Sequence, residues 1–192
     1  MITWTQTTYD ELSELALKYG TDKAKWYTSF YHDLLKDRRR NVRKVLELGI
    51  GHPGCMPEGY RTGASLRMWQ EYFPEAEIYA LDHNREILFH EGRIKSFWFE
   101  QSAPETYPLE QLGANFDLIV DDASHNWDDQ RTALMTLRGI TSLYIIEDTG
   151  YMPHEEVEMR ASLLPYKSLA VAFRNDALPN DRGSCIVVWP WT

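Results

Sequence analysis

Short apolar runs alternate along the chain with longer stretches in which apolar positions recur every three or four residues, the pattern of strands alternating with amphipathic helices. Lys44-Val45-Leu46-Glu47-Leu48-Gly49-Ile50-Gly51 is an apolar, β-favouring run broken by a carboxylate and closed by two glycines. It predicts a buried strand that opens into a loop where backbone approaches a ligand. A second run, Ile78-Tyr79-Ala80-Leu81-Asp82, also ends in an acid, and Ser65 to Phe73 between the two has helical spacing. Strand, glycine turn, helix, strand and acid make one βαβ unit. Further strands are expected at Ser96 to Phe99, Phe116 to Asp122, Leu143 to Glu147, Ser168 to Phe173 and Cys185 to Trp189. Helical patterns cover Pro104 to Leu112, Trp127 to Leu137 and His154 to Leu164. The alternation predicts an α/β fold: a seven-stranded, mostly parallel sheet with helices on both faces. No helical pattern lies between Arg174 and Gly183, so the last two strands should pair as a hairpin and make one strand antiparallel.

Ahead of the first strand, Thr8 and Glu11 have capping-box spacing, and Leu12, Leu15 and Ala16 follow at helical intervals as far as Gly20. This predicts a helix over residues 9–18. A second helix is expected over Phe30 to Arg38, with Tyr19-Gly20-Thr21-Asp22-Lys23 as a polar turn before it. These N-terminal helices, within residues 1–40, suit either a lid over a ligand or a cover on one sheet edge. The chain shows no repeat, low-complexity tract or linker, and residues 1–192 are expected to form a single domain.

Charge narrows the partners. The formal net charge is −9, and basic residues cluster only between Lys36 and Lys44, which argues against a nucleic-acid backbone as partner. Two cysteines, Cys55 and Cys185, supply neither a zinc motif nor a disulfide framework. With no signal-peptide pattern and no apolar run of bilayer length, the expectation is a cytoplasmic protein that does not meet a membrane.

The glycine turn is not a dinucleotide fingerprint, because Gly49-Ile50-Gly51 lacks a third glycine and no helix opens directly after it. An acid shortly before the glycines fits a cationic cofactor, and an acid at the next strand end fits ribose hydroxyls. S-adenosylmethionine meets both demands. Two later strands end in acidic pairs, Asp121-Asp122 followed by Ala123-Ser124-His125, and Glu147-Asp148. Carboxyl ends of strands gather on one rim in such folds, and four acids there call for a cation. Oxygen ligands with one histidine and no cysteine favour magnesium, manganese or calcium over zinc. Metal coordination makes a hydroxyl acidic enough to be methylated, and His125 stands where an imidazole with a pKa of about 6.5 could take the proton. The competing reading makes Asp121 and Asp148 helix caps, Glu147 structural and His125 a solvated loop residue; paired acids beside a histidine favour a site. His32, His52, His83, His90 and His154 carry no partner motif, Trp69 and Tyr72 have core spacing, and Trp127 fits core or site.

Taken in order, Tyr19-Gly20-Thr21-Asp22-Lys23, Leu46-Glu47-Leu48-Gly49-Ile50-Gly51, Gly63-Ala64-Ser65-Leu66-Arg67-Met68-Trp69, Tyr72-Phe73-Pro74, Ile78 to Asp82, Asp121-Asp122-Ala123-Ser124-His125 and Ile146-Glu147-Asp148-Thr149 resemble one family. It is the metal-dependent macrolide sugar O-methyltransferases, whose catalytic domain these motifs follow over residues 15–155. The resemblance implies a Rossmann-like class I methyltransferase fold that uses S-adenosylmethionine and Mg2+ or Mn2+. It implies Glu47, Gly49 and Gly51 in the cofactor loop, Asp82 on the ribose, Glu100 with Gln101 and Ser102 toward the adenine, and Ser65 and Asp121 among the cofactor-binding residues. Asp122, Glu147 and Asp148 would be the metal ligands, with His125 and Asp122 as the catalytic pair. Phe99 and Glu100 depart from the family's usual glycine and aspartate. The implied activity is methyl transfer to a hydroxyl of a sugar or glycosylated natural product, a small-molecule acceptor, with a homo-oligomer left open. Two alternatives stand beside it: methylation of a small carboxylate or catechol, and a non-catalytic S-adenosylmethionine-binding module.

Overall fold

The computed structural model describes residues 2–56, 59–149, 154–166, 168–174 and 184–189. In chain order its elements are β1 (Ile2–Trp4), α1 (Glu11–Tyr19), α2 (Lys23–Trp26), α3 (Thr28–Leu35), β2 (Lys44–Leu48), α4 (Ala64–Tyr72), β3 (Glu77–Asp82), β4 (His90–Glu91) and β5 (Ile94–Trp98). They continue as α5 (Leu109–Leu112), β6 (Leu118–Asp121), α6 (Trp127–Leu137), β7 (Tyr144–Ile146), α7 (His154–Ser162), β8 (Leu169–Arg174) and β9 (Ser184–Val188).

The strands form one sheet in the order β1-β8-β9-β7-β6-β2-β3-β5-β4. The expected α/β architecture is present, with nine strands in place of seven. The two additional strands are short edge pieces of three and two residues, too brief for periodicity to reveal. Two strands, in place of the expected one, run antiparallel to their neighbours: β9 against β7 and β8, and β4 against β5. The β8–β9 pairing is the expected one; most of its connection, residues 175–183, lies outside the described residues.

Both faces of the sheet are covered, which is why its strands read as continuous apolar runs. Val45, Leu118, Val120 and Ile145 point to a core shared with α1, α3 and α4. Leu46, Leu48, Ile119 and Ile146 point to a second core shared with α6 and α7. Helix α1 begins two residues later than its predicted start because Asp10 caps it, accepting from the Ser13 backbone N–H at 2.8 Å. Gly20 ends it at φ +74°, its N–H bonded to the carbonyls of Ala16 and Leu17. The expected helix over Pro104 to Leu112 is split into one turn at Pro104–Thr106 and the short α5. Pro108 is the cause: it holds Tyr107 in extended backbone, at φ −69° and ψ 125°. The Tyr19–Lys23 turn leads directly into α2, a helix the pattern did not reveal. No helix among the described residues is long and apolar enough to cross a membrane.

From β2 the chain passes to β3 on one side, while β6 pairs with the other side of β2. This reversal opens a crevice at the carboxyl ends of β2 and β6, where Leu48 lies beside Asp121.

Candidate active site

A cavity of about 710 Å3 fills that crevice, within the size range of small-molecule sites. Its wall includes Glu47, Gly49, Gly51, Ser65, Asp82, Glu100, Gln101, Asp122 and His125. The glycines act as the turn required. Gly49 adopts φ +92°, and a Cβ there would overlap the Asp122 carbonyl oxygen; Gly51 adopts φ +79°, and a Cβ there would overlap the Tyr60 hydroxyl. Asp82 braces this loop from β3, accepting from Ile50 N–H at 2.9 Å and from Asn84 N–H at 2.8 Å.

Glu47 is buried beneath the loop, where it accepts from the Ser65 hydroxyl at 2.7 Å and from the Trp69 indole N–H. Burial raises its pKa against the opposing pull of Lys23. Trp69 and Tyr72 are fully buried core residues, as their spacing implied. Asp121 is absent from the cavity wall and lies behind it, accepting from Gln101 Nε2 at 2.8 Å and the Tyr144 hydroxyl at 3.1 Å. Gln101 in turn accepts from the Ser124 N–H at 3.0 Å, so Asp121 reaches the cavity through the side chain it orients. Burial raises the Asp121 pKa to about 7, although its hydrogen bonds to Tyr144 and Gln101 lower it. Ser102 is exposed and outside the wall.

At the rim, donor atoms of Asp122, His125 and Asp148 lie within 4.8 Å of one another. His125 Nε2 is 3.1 Å from Asp122 Oδ1 and 3.6 Å from Asp148 Oδ2. His125 and Asp148 both hold left-handed backbone, at φ 57° and 45°, conformations uncommon outside glycine. The Tyr27 hydroxyl donates to Asp148 Oδ1 at 2.5 Å. This donor set, rich in hard carboxylate oxygen with one imidazole, fits a divalent cation such as magnesium or manganese. Glu147 points elsewhere. Its Oε2 accepts from Lys23 at 2.6 Å and its Oε1 from the Tyr31 hydroxyl at 2.6 Å, below the rim.

Lys23 is the residue the pattern reading overlooked. It is 2% exposed, and its ammonium lies 2.6 Å from Asp122 Oδ2, 2.6 Å from Glu147 Oε2 and 3.6 Å from Glu47 Oε1. Burial lowers its pKa, but Asp122, Glu147 and Glu47 together raise it well above the ordinary lysine value. For Asp122, burial opposes the charged form, and Lys23 and His125 overcome it to hold the carboxyl below the usual range. One signal was available: Lys23, Tyr27 and Tyr31 recur every four residues, and all three reach these acids. His52 and His83, which carried no motif, also line the cavity, as do Trp26 and Tyr60.

No family model matches the chain. It is 33% identical over 192 residues to mycinamicin VI 2''-O-methyltransferase of Micromonospora griseorubida, covering 89% of this chain and 46% of that protein. It is 32% identical to demethylmacrocin O-methyltransferase of Streptomyces fradiae, over 90% of this chain and 47% of the relative. Among solved structures, the MycE methyltransferase of the mycinamycin biosynthetic pathway, in complex with Mg and SAH, superposes with a TM-score of 0.71. That match has 27% identity and covers 94% of this chain and 54% of the other. The chain spans about half the length of the curated relatives it matches, and its fold is the Rossmann-like methyltransferase fold.

Proposed function

We propose that this chain, a homologue of the macrolide sugar O-methyltransferases, transfers a methyl group from S-adenosylmethionine to a hydroxyl of a sugar or glycosylated natural product, with magnesium or manganese at the rim. The observation that carries the reading is that one cavity joins a glycine-lined loop, braced by Asp82, to Asp122 and His125, whose donor atoms lie within 4.8 Å of Asp148 behind the wall. S-adenosylmethionine supplies an electrophilic methyl group, and a divalent cation held by Asp122 and Asp148 supplies acidity to the acceptor hydroxyl.

The chain's own residues do the rest. Gly49 and Gly51 leave the loop backbone open to the cofactor, and Glu47 braces that end of the cavity by holding Ser65 and Trp69 beneath the loop. Gln101, held by Asp121, and Glu100 line the same cavity. His125 takes the acceptor proton; two carboxylates facing its Nε2 stabilise the imidazolium that results. The cavity geometry holds acceptor and methyl donor together, which is where most of the rate acceleration arises. Thr21, Asp22, Lys25 and Trp26 line the same cavity from the N-terminal segment, which supports a lid role for residues 1–40 within one domain. A second reading makes His125 the third metal ligand, favoured by its place in the donor group.

Calorimetric titration of S-adenosylmethionine into metal-stripped protein, then of magnesium into the complex, tests the proposal in wild type and in Asp148→Ala. Binding of both ligands, with magnesium binding lost in the variant, is expected. Absence of cofactor binding would overturn the proposal, and cofactor binding without a metal site would redirect it to a carboxylate acceptor, which needs no metal.

A further inference from the structure

Glu147 was expected beside Asp122 and Asp148, yet both of its oxygens are engaged by Lys23 and Tyr31. Asp122 is divided in the same way: Oδ2 is held by Lys23 at 2.6 Å, and Oδ1 faces His125 at 3.1 Å. A buried ammonium thus reaches the three carboxylates Glu47, Asp122 and Glu147. Glu47 and Glu147 are each 1% exposed and Asp122 lies beside them at the rim, and carboxylates gathered this closely with two of them buried are strongly disfavoured without a cation. A second cation on the same Asp122 carboxylate is repelled by the first, and strongly so in a medium less polarisable than water.

We infer that Lys23 is the rim's built-in counter-cation, which holds the acids together without metal and keeps the affinity for a divalent ion low. The inference rests on the metal reading above. By engaging Glu147, Lys23 also confines a bound ion to the Asp122, His125 and Asp148 end of the rim. Metal entry then adds charge to a site already part-neutralised, so the ion exchanges readily and the fold does not depend on it. A lysine that only filled space in the core would leave metal affinity untouched or lower it when removed. Electrostatics give the opposite sign: with the ammonium gone, the unpaired acids, Glu147 now among them, hold a divalent ion more tightly.

The test uses Mn2+ as probe, titrated with detection by electron paramagnetic resonance, together with thermal melting with and without Mn2+. Lys23→Met should melt lower than wild type without metal, recover most of that loss on Mn2+ addition, and bind Mn2+ at least 10-fold more tightly. Where that variant fails to fold, Lys23→Met/Glu147→Gln removes one charge of each sign and is compared with Glu147→Gln alone. At least 10-fold tighter Mn2+ binding in the double variant is expected. Equal or weaker Mn2+ binding on loss of Lys23, in either background, would overturn the role assigned to Lys23 and leave the metal reading standing. No Mn2+ binding in wild type or any variant would overturn the metal reading and this inference with it.

Discussion

His125 occupies left-handed backbone at φ 57°, a cost that persists where the surroundings over-determine it. Its imidazole stays against Asp122 and Asp148, so its replacement separates the two roles open to it. His125→Ala should cut turnover of a sugar acceptor by about 10^2- to 10^4-fold, the usual worth of general-base catalysis, with cofactor affinity unchanged. Retained Mn2+ binding in that variant identifies a base, and lost Mn2+ binding identifies a ligand. Asp121 makes a prediction in pH. Its pKa in the folded protein is about 7 against an ordinary 3.8, so the stability it contributes is complete below about 4 and is lost as pH rises through 7. Asp121→Asn removes that titration. Between pH 4 and 7, wild type should therefore lose stability relative to the variant by about 1.4 kcal/mol per pH unit, read from urea midpoints; parallel profiles would exclude a raised pKa. Glu47, Asp82 and Asp122 were legible because each lies at or next to the carboxyl end of an apolar strand. Lys23 was not, because a lysine in a polar turn ordinarily faces water, and only the three-dimensional meeting of three strand ends around it makes burial tolerable.

Element boundaries follow side-chain capping more closely than periodicity. Helix α6 spans the predicted residues, Trp127 to Leu137, because Asn126 accepts from the N–H groups of Asp128 at 3.0 Å and Asp129 at 3.3 Å. The same cap closes the loop that carries Ser124 and His125. Asn126→Ala should lower stability by about 1 kcal/mol, measured by urea unfolding, and should disturb the His125 loop more than any strand. The parallel strands were legible for a related reason: each is covered on both faces, and Val45 with Leu46, or Ile119 with Val120, serves opposite cores. Where coverage fails, so does the pattern. The edge strands β1 and β4 have three and two residues and mixed exposure, and α2 has four residues, too few for a helical period to repeat.

Over the whole molecule the net charge of −9 surrounds a cavity whose inner wall holds Glu47, Asp82 and Asp122. Such a field repels anions at a distance, and salt screens it beyond about 10 Å at 0.1 M. The choice between a hydroxyl acceptor and a carboxylate acceptor therefore has a signature independent of the chemistry. For an anionic acceptor kcat/KM should rise with ionic strength as repulsion is screened; for a neutral glycoside it should stay flat. Metal dependence points the same way, since a hydroxyl needs its proton loosened and a carboxylate does not. A neutral glycoside turned over with a flat salt profile and abolished by EDTA is the expected outcome. Turnover of a carboxylate that survives EDTA and rises with salt would instead assign the chain to carboxylate methylation and remove the metal from the reaction.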